Sequence, residues 1–276
     1  MEKLNVIERV HEPTQWVNSM VTVIKPNKTR ICIDPRDLNK AISREHFPMR
    51  TIEEVVSGMP KAKVFSVLDA SSGFWQIKLD EESSKFCTFN TPFGRFKFNR
   101  LPFGICSAPE VFQDVMSQVY ESIEGVEIVA DDILIWGETV AEHDQRLRNV
   151  LERSRLRKVK LNKSKCQIRK SEITYLGHVL SESGLKVDPE KVRAVTEMKS
   201  PEDKEGLQRF MGVITYLAKF IPNLSTESAP LRALLEKGVH WEWGDAQQKS
   251  FQRLKEKITQ APVLKLFDVT KEVTYQ

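Results

Sequence analysis

The chain has 276 residues, 40% hydrophobic and 29% charged, a globular balance with enough core for one large domain or two to three lobes. A net charge of +4 is only mildly basic, so a nucleic-acid surface has to come from local clusters. Cys32, Cys87, Cys106 and Cys166 lie far apart with no CxxC and no histidine at zinc-finger spacing, which speaks for a reduced, intracellular chain. The start, Met1 to Val6, has no apolar h-region, and no segment approaches about 18 apolar residues, so neither secretion nor a membrane span is expected.

Residues 6–48 read as β-rich. Trp16 to Ile24 and Thr29 to Ile33 have strand character, and Lys25-Pro26-Asn27-Lys28 between them holds turn formers. This hairpin carries Lys25, Lys28 and Arg30; Asp34 and Arg36 flank Pro35 at the spacing of a local ion pair. Thr51-Ile52-Glu53-Glu54 is a capping box for a short helix that Gly58 and Pro60 stop. Val64 to Leu68 is a strand-like run that ends at Asp69, with Ala70-Ser71-Ser72-Gly73 turning behind it. Gln76, Ile77 and Lys78 continue an alternating pattern, and Phe86 to Phe98 reads as a hairpin about Asn90-Thr91-Pro92-Phe93-Gly94. After Leu101-Pro102-Phe103-Gly104, Ser107 and Glu110 form a capping box for a helix to about Ser122.

Val126 to Gly137 holds Asp131 and Asp132 between two β-branched, apolar runs, the pattern of two strands joined by a tight turn. Adjacent carboxylates repel and resist ionising together; a divalent cation removes that conflict, and hard oxygen ligands suit Mg²⁺ or Mn²⁺. An acidic turn is common in itself, because Asp favours turns. Asp69 at the end of a second buried strand shifts the balance, since three carboxylates at strand ends can hold two metal ions about 4 Å apart for phosphoryl transfer. Thr139 to Glu142 opens another capping box, for a helix to about Arg157, and Arg153 to Lys170 carries nine Lys or Arg with no Asp or Glu. Ile173 to Leu180 reads as a strand pair. Beyond Ser181 the pattern turns helical: Asp188-Pro189 caps one helix, Leu207, Phe210, Met211, Ile214 and Leu217 form a stripe, and Phe251, Leu254 and Ile258 mark a last helix before a strand-like Glu272 to Gln276.

Asp69 through Phe74 with Gln76, then Leu101-Pro102-Phe103-Gly104, then Ala130-Asp131-Asp132, stand in the order and spacing of the palm motifs of reverse transcriptases. From about Val6 to its last residue the chain resembles the polymerase part of the pol polyprotein of gypsy-type LTR retrotransposons. The resemblance implies an α+β right-hand polymerase with a ferredoxin-like palm, β-rich fingers and a helical thumb. Fingers would occupy residues 1–60; the palm 61–180, with a fingers hairpin at about 84–100 and a primer grip at about 173–180; the thumb 181–240; and a connection toward a ribonuclease H domain 241–276. It implies RNA-directed DNA polymerase activity on an RNA or DNA template with a DNA primer and dNTPs, two Mg²⁺ (or Mn²⁺) held by Asp69, Asp131 and Asp132, and a cytoplasmic location, virus-like particles included. No membrane partner is expected.

By the same resemblance Arg30, with Lys25 second, binds the triphosphate, a task suited to the forked guanidinium. Phe74 lies under the sugar and rejects a 2′-hydroxyl, and Phe103 and Gly104 approach the nucleotide. Lys165, with Lys163 close behind, protonates the leaving pyrophosphate, and Tyr175, Leu176, Gly177 and His178 brace the primer end; His178 has no metal-spaced partner, so by itself it reads as a structural or phosphate-facing histidine. One departure stands out: Val129 occupies the place where many members carry Tyr. Ribonuclease H activity is expected only of a longer parent polyprotein. Two other readings use the same residues, a catalytically silent nucleic-acid-binding remnant and an unrelated metal-dependent nuclease; the second would need neither Phe74 nor the basic hairpin.

Overall fold

The computed structural model describes residues 1–276 except 26–27, 45, 60 and 266–276, and no side chains over 25–30. Strands β1 (Ile7–Arg9), β2 (Ser19–Lys25) and β3 (Lys28–Asp34) precede helices α1 (Arg36–Ala41) and α2 (Ile52–Ser57). Then come β4 (Val64–Asp69), α3 (Glu81–Phe86), β5 (Thr88–Thr91), β6 (Gly94–Phe98), α4 (Ala108–Val119), β7 (Val126–Val129), β8 (Asp132–Gly137), α5 (Val140–Leu156) and β9 (Gln167–Lys170). The chain continues through β10 (Glu172–Tyr175), β11 (His178–Ser181), β12 (Gly184–Val187), α6 (Pro189–Glu197), α7 (Lys204–Tyr216), α8 (Leu224–Leu235) and α9 (Asp245–Thr259). Two compact units result, one from Met1–Thr51 with Ser66–Arg169, the other from Ile52–Phe65 with Lys170–Gln276. The hairpin expected to grip the primer therefore clusters with the helices that follow it.

In the first unit, β7, β8, β4 and β9 form one sheet in that order. Its inner strands are covered on both faces: Ile133, Leu134 and Ile135 are fully buried in succession, as their unbroken apolar run requires, and Ser66, Val67 and Leu68 nearly so. Phe112 and Met116 of α4, Tyr120 just beyond it and Val150 of α5 complete this core. A separate cluster joins Phe89, Phe96 and Phe98 of the three-stranded sheet β1-β6-β5 to Ile33 and Leu38. The β2–β3 hairpin pairs from Ser19↔Asp34 to Lys25↔Lys28, so β2 starts three residues later than the expected strand and β3 runs one residue further at each end. In the second unit β10, β11 and β12 form an antiparallel sheet. The stripe Leu207, Phe210, Met211, Ile214 and Leu217 is buried, with Phe210 packed 4.6 Å from Phe251 of α9 between ring centres.

Several local expectations change. Gln76 ends a 3-10 turn that starts at Gly73 instead of opening a strand, while the expected hairpin forms as β5 and β6, paired from Thr88↔Lys97 to Thr91↔Gly94; α3 precedes it, with the Asp80 carboxylate accepting from the Ser83 amide at 2.8 Å. Ser107 makes no side-chain cap; Glu110 turns away to pair with Arg44 at 2.6 Å, and α4 stops at Val119. At α5, Thr139 does cap Glu142, whose carboxylate reaches back to the Glu138 amide at 2.7 Å. Strand β12 has no counterpart in the expected helical stretch, and residues 272–276 lie outside the described residues.

Gly137 closes β8 against the first turn of α5. A Cβ there would lie 2.6 Å from the His143 amide nitrogen and 2.9 Å from its Cα, backbone atoms that no rotamer can move aside. Gly137→Ala is expected to cost about 1–3 kcal/mol in chemical denaturation. Gly212→Ala, inside α7 with nothing within 4 Å of the added carbon, is expected to gain about 0.5–1 kcal/mol.

Candidate active site

The carboxylates are delivered by strand ends. Val129 pairs with Asp132, so Ala130 and Asp131 form a two-residue turn between β7 and β8, with Ala130 in the left-handed region at φ 52. A non-glycine residue there costs about 1–3 kcal/mol, so surrounding bonds must hold it. Gln113 of α4, buried, accepts from the Ala130 amide at 2.9 Å and donates to the Ile128 carbonyl at 2.7 Å. On the other side, the Ala70 amide donates to the Asp131 carbonyl at 2.7 Å. The residue that follows Asp69 is thus bonded directly to the turn that carries Asp131.

Asp69 is braced in the same way. Its carbonyl accepts from the Asn162 amide at 2.8 Å, and its carboxylate receives Lys165 Nζ at 2.8 Å. Gln76 staples the segments behind both, donating to the carbonyls of Ser71 (2.9 Å) and Lys160 (3.0 Å) and accepting from the Lys160 amide at 2.8 Å. Gly73 leaves room for chemistry: a Cβ on it would meet Asp131 Oδ1 at 1.9 Å.

Burial, followed by the negative charges of Asp69 and Asp131, pushes the Asp132 carboxyl above the usual carboxylate range, and Lys165 opposes the shift. The hydrogen bond to Asp69 raises Lys165 in turn, against the opposing cost of burial, and the three carboxylate charges add to it. The carboxylates therefore share one field. Among the described residues no three His, Cys, Asp or Glu side chains converge as a finished metal shell; Lys165 engages Asp69 instead. The donor set, hard oxygens in mutual repulsion, fits a hard divalent cation.

Phe74, half-buried, packs against Phe103 at 5.1 Å and Phe112 at 5.7 Å between ring centres, so its position is rigid. Gly104 is exposed at φ 112, and a Cβ would meet the Ile33 carbonyl at 2.8 Å. Asn39 holds this loop, donating to the Gly104 carbonyl at 3.0 Å and accepting from the Cys106 amide at 2.9 Å. The Lys25, Lys28 and Arg30 side chains lie outside the described residues. Arg36 does pair with Asp34, at 2.8 Å. Val129 is buried, so its side chain serves the core.

In the second unit the four residues of the expected grip differ in exposure. Tyr175 and His178 are buried at 1% exposure each, which leaves the Leu176-Gly177 turn as the part that can face a partner. His178 Nδ1 lies 2.9 Å from the Leu176 carbonyl, and its ring packs on Tyr216 and Phe220. Tyr216 of α7 donates to the same carbonyl at 2.6 Å. Burial holds the His178 imidazole below its usual value, as suits a neutral structural histidine.

Gln113 and Asn39 were missed from the sequence. Gln113 offered one signal, a polar residue directly after Phe112 on the face that builds the core.

The family model "Reverse transcriptase (RNA-dependent DNA polymerase)" matches residues 18–180. The chain belongs to the reverse transcriptase family. This family member is 34% identical over 276 residues to the retrovirus-related Pol polyprotein from transposon 412 of Drosophila melanogaster, covering 96% of the chain and 22% of the relative. It is 29% identical over 262 residues to the transposon Tf2-3 polyprotein of Schizosaccharomyces pombe, covering 93% and 20%. The chain thus spans about a fifth of these curated relatives. Among solved structures, the foamy viral protease-reverse transcriptase dRH in complex with double-stranded DNA superposes with a TM-score of 0.88 at 23% identity, over 97% of this chain and 47% of that one. The foamy viral protease-reverse transcriptase in complex with RNA/DNA hybrid gives 0.81 at 22%, over 94% and 35%. At such identity the likeness speaks to the fold, which is that of an α+β polymerase.

The raised Asp132 carboxyl has a consequence for stability. Its protonated form favours the folded state, and that contribution is lost as pH rises through the raised folded value. Without divalent ions, Asp132→Asn is expected to raise the melting temperature at pH 7, with the gain shrinking as pH falls toward the ordinary carboxylate value. A gain that is constant with pH, or a loss at pH 7, would contradict this electrostatic account.

Proposed function

We propose that this chain is the RNA-directed DNA polymerase portion of a retrotransposon pol polyprotein, extending a DNA primer on an RNA or DNA template. The observation that carries the reading is the β7–β8 turn bonded to the end of β4, which gathers Asp69, Asp131 and Asp132 into one field beside Lys165 and the Phe74–Phe103 pair. Two divalent ions, Mg²⁺ or Mn²⁺, held by the three carboxylates would supply the charge that activates the primer 3′-hydroxyl and neutralises the departing pyrophosphate.

The chain's own residues do the rest. Lys165, kept protonated by Asp69, is the proton donor for the leaving group. Phe74, wedged by Phe103 and Phe112, closes the space that a ribose 2′-hydroxyl would fill and so selects dNTPs. Gly104 lets backbone approach the nucleotide, Arg30 and Lys25 take the triphosphate, and the Leu176-Gly177 turn braces the primer. The basic run divides by its partners. Arg153 and Arg169 are engaged within the protein, whereas Arg155, Arg157, Lys158, Lys160 and Lys163 are exposed and offer a phosphate-tracking surface whose binding weakens with salt. Base pairing reads the template; protein contacts go to backbone and shape.

The test is Mg²⁺-dependent extension of a DNA primer on poly(rA) and on a DNA template, beside Asp131→Asn. Extension that the substitution abolishes is the expected result; extension that survives it would refute the assignment of the site. Phe74→Val is expected to raise ribonucleotide relative to deoxyribonucleotide incorporation about tenfold or more, the effect of about 1.4 kcal/mol of lost discrimination. An unchanged ratio would remove Phe74 from sugar selection.

A further inference from the structure

A closed hydrogen-bonded ring lies in the first unit, outside the carboxylate site. The Arg169 amide donates to Ser66 Oγ at 2.9 Å; Ser66 Oγ meets His143 Nε2 at 2.8 Å; His143 Nδ1 meets Asp144 Oδ1 at 3.1 Å. The Asp144 carboxylate then receives Nε (3.2 Å) and Nη2 of Arg169, where the ring began. Side-chain bonds from Arg169 and His143 hold the Asp144 carboxyl below its usual range, so it is an acceptor. Facing this acceptor, His143 donates from Nδ1; a neutral imidazole then accepts the Ser66 hydroxyl proton at Nε2, which leaves a lone pair of Ser66 for the Arg169 amide. The order Ser–His–Asp is that of a nucleophilic triad, yet Ser66 and His143 are both 0% exposed, which excludes a substrate.

Its position is informative. Ser66 lies on β4 three residues before Asp69, and Arg169 lies on the edge strand β9, held at φ 52, a strained value for a non-glycine residue. The segment opposite β4 is bonded to it through the pairing of β9 and by two further links: the Asn162 amide donates to the Asp69 carbonyl, and the Arg169 amide donates to Ser66 Oγ. Between these anchors the chain makes an excursion, tightened by the Lys165 and Cys166 amides donating to the Asn162 carbonyl at 3.0 and 3.2 Å, and this excursion places Lys165 on Asp69.

We infer that Ser66, His143, Asp144 and Arg169 are positioning residues that fix the far end of the excursion and thereby aim Lys165 at the reacting centre. The inference rests on the polymerase reading above. It predicts that Ser66→Ala lowers the single-turnover rate of nucleotide incorporation by about 10- to 100-fold while apparent affinity for template–primer stays unchanged, and that Ser66→Thr, which keeps the hydroxyl, restores the rate. In a Lys165→Leu background Ser66→Ala is expected to add nothing, because the lysine it aims is gone. Should Ser66→Ala fail to fold, Asp144→Ala, at the solvent-facing end of the ring, carries the same cycle. A wild-type rate in the ring variant, or an equal loss in both backgrounds, overturns the inference alone; a wild-type chain that incorporates nothing on any template–primer overturns the polymerase reading and this inference with it.

Discussion

Mutual repulsion among Asp69, Asp131 and Asp132 is the constraint that the first unit is built to withstand. Left to itself a chain relieves such repulsion by moving the groups apart, and here the backbone forbids it. The amide of Ala70 is bonded to the carbonyl of Asp131, so the end of β4 and the β7–β8 turn cannot separate without breaking that link. Gln113 supplies the opposing tether from α4, and the apolar strands behind the turn, with Ile133, Leu134 and Ile135 fully enclosed, give the tethers something rigid to pull against. Stability is thus lent from the core to a site that is unfavourable in isolation, the usual arrangement where charge has to be presented rather than neutralised.

The parts of this arrangement that were readable from sequence are those with short-range causes. Apolar runs that end in Asp gave strand ends, two adjacent Asp between such runs gave a turn, Thr139 marked a helix close to its observed limits, Asp188 marked the start of another, and the stripe from Leu207 to Leu217 marked the buried face of a third. The spacing of Asp69, Phe74, Phe103-Gly104 and Asp131-Asp132 is that of the family's palm motifs. What stayed hidden depends on partners distant in sequence. Ser107 and Glu110 have the spacing of a capping box, but Arg44 offers Glu110 a charged partner and the box does not form. Tyr175 looks like a surface contact residue beside a turn, yet it is buried; His178, legible as a structural histidine, has Tyr216 of α7 and Phe220 as the distant residues that cover it.

Glutamine and asparagine carry much of the fine positioning. Gln76, Gln113 and Asn39 each satisfy a backbone donor and a backbone acceptor at once, on segments far apart in the chain. A primary amide can do this because it presents both functions in one plane and carries no charge to disturb neighbouring carboxylates. Composition and periodicity are blind to this role, since an amide reads as an ordinary polar residue until its two partners are known.

The bond from Tyr216 to the Leu176 carbonyl ties the tip of the β10–β11 hairpin to the last turn of α7. Leu176 and Gly177 both have left-handed backbone, at φ 48 and 70, so the turn has few alternative shapes to relax into. A tilt of α7 is therefore passed to the hairpin tip as displacement instead of being absorbed by bending. Within this unit the helix behaves as a lever and the turn as its short arm, and whatever rests on that turn senses the helix mechanically, without any change in the chemistry of the residues between them.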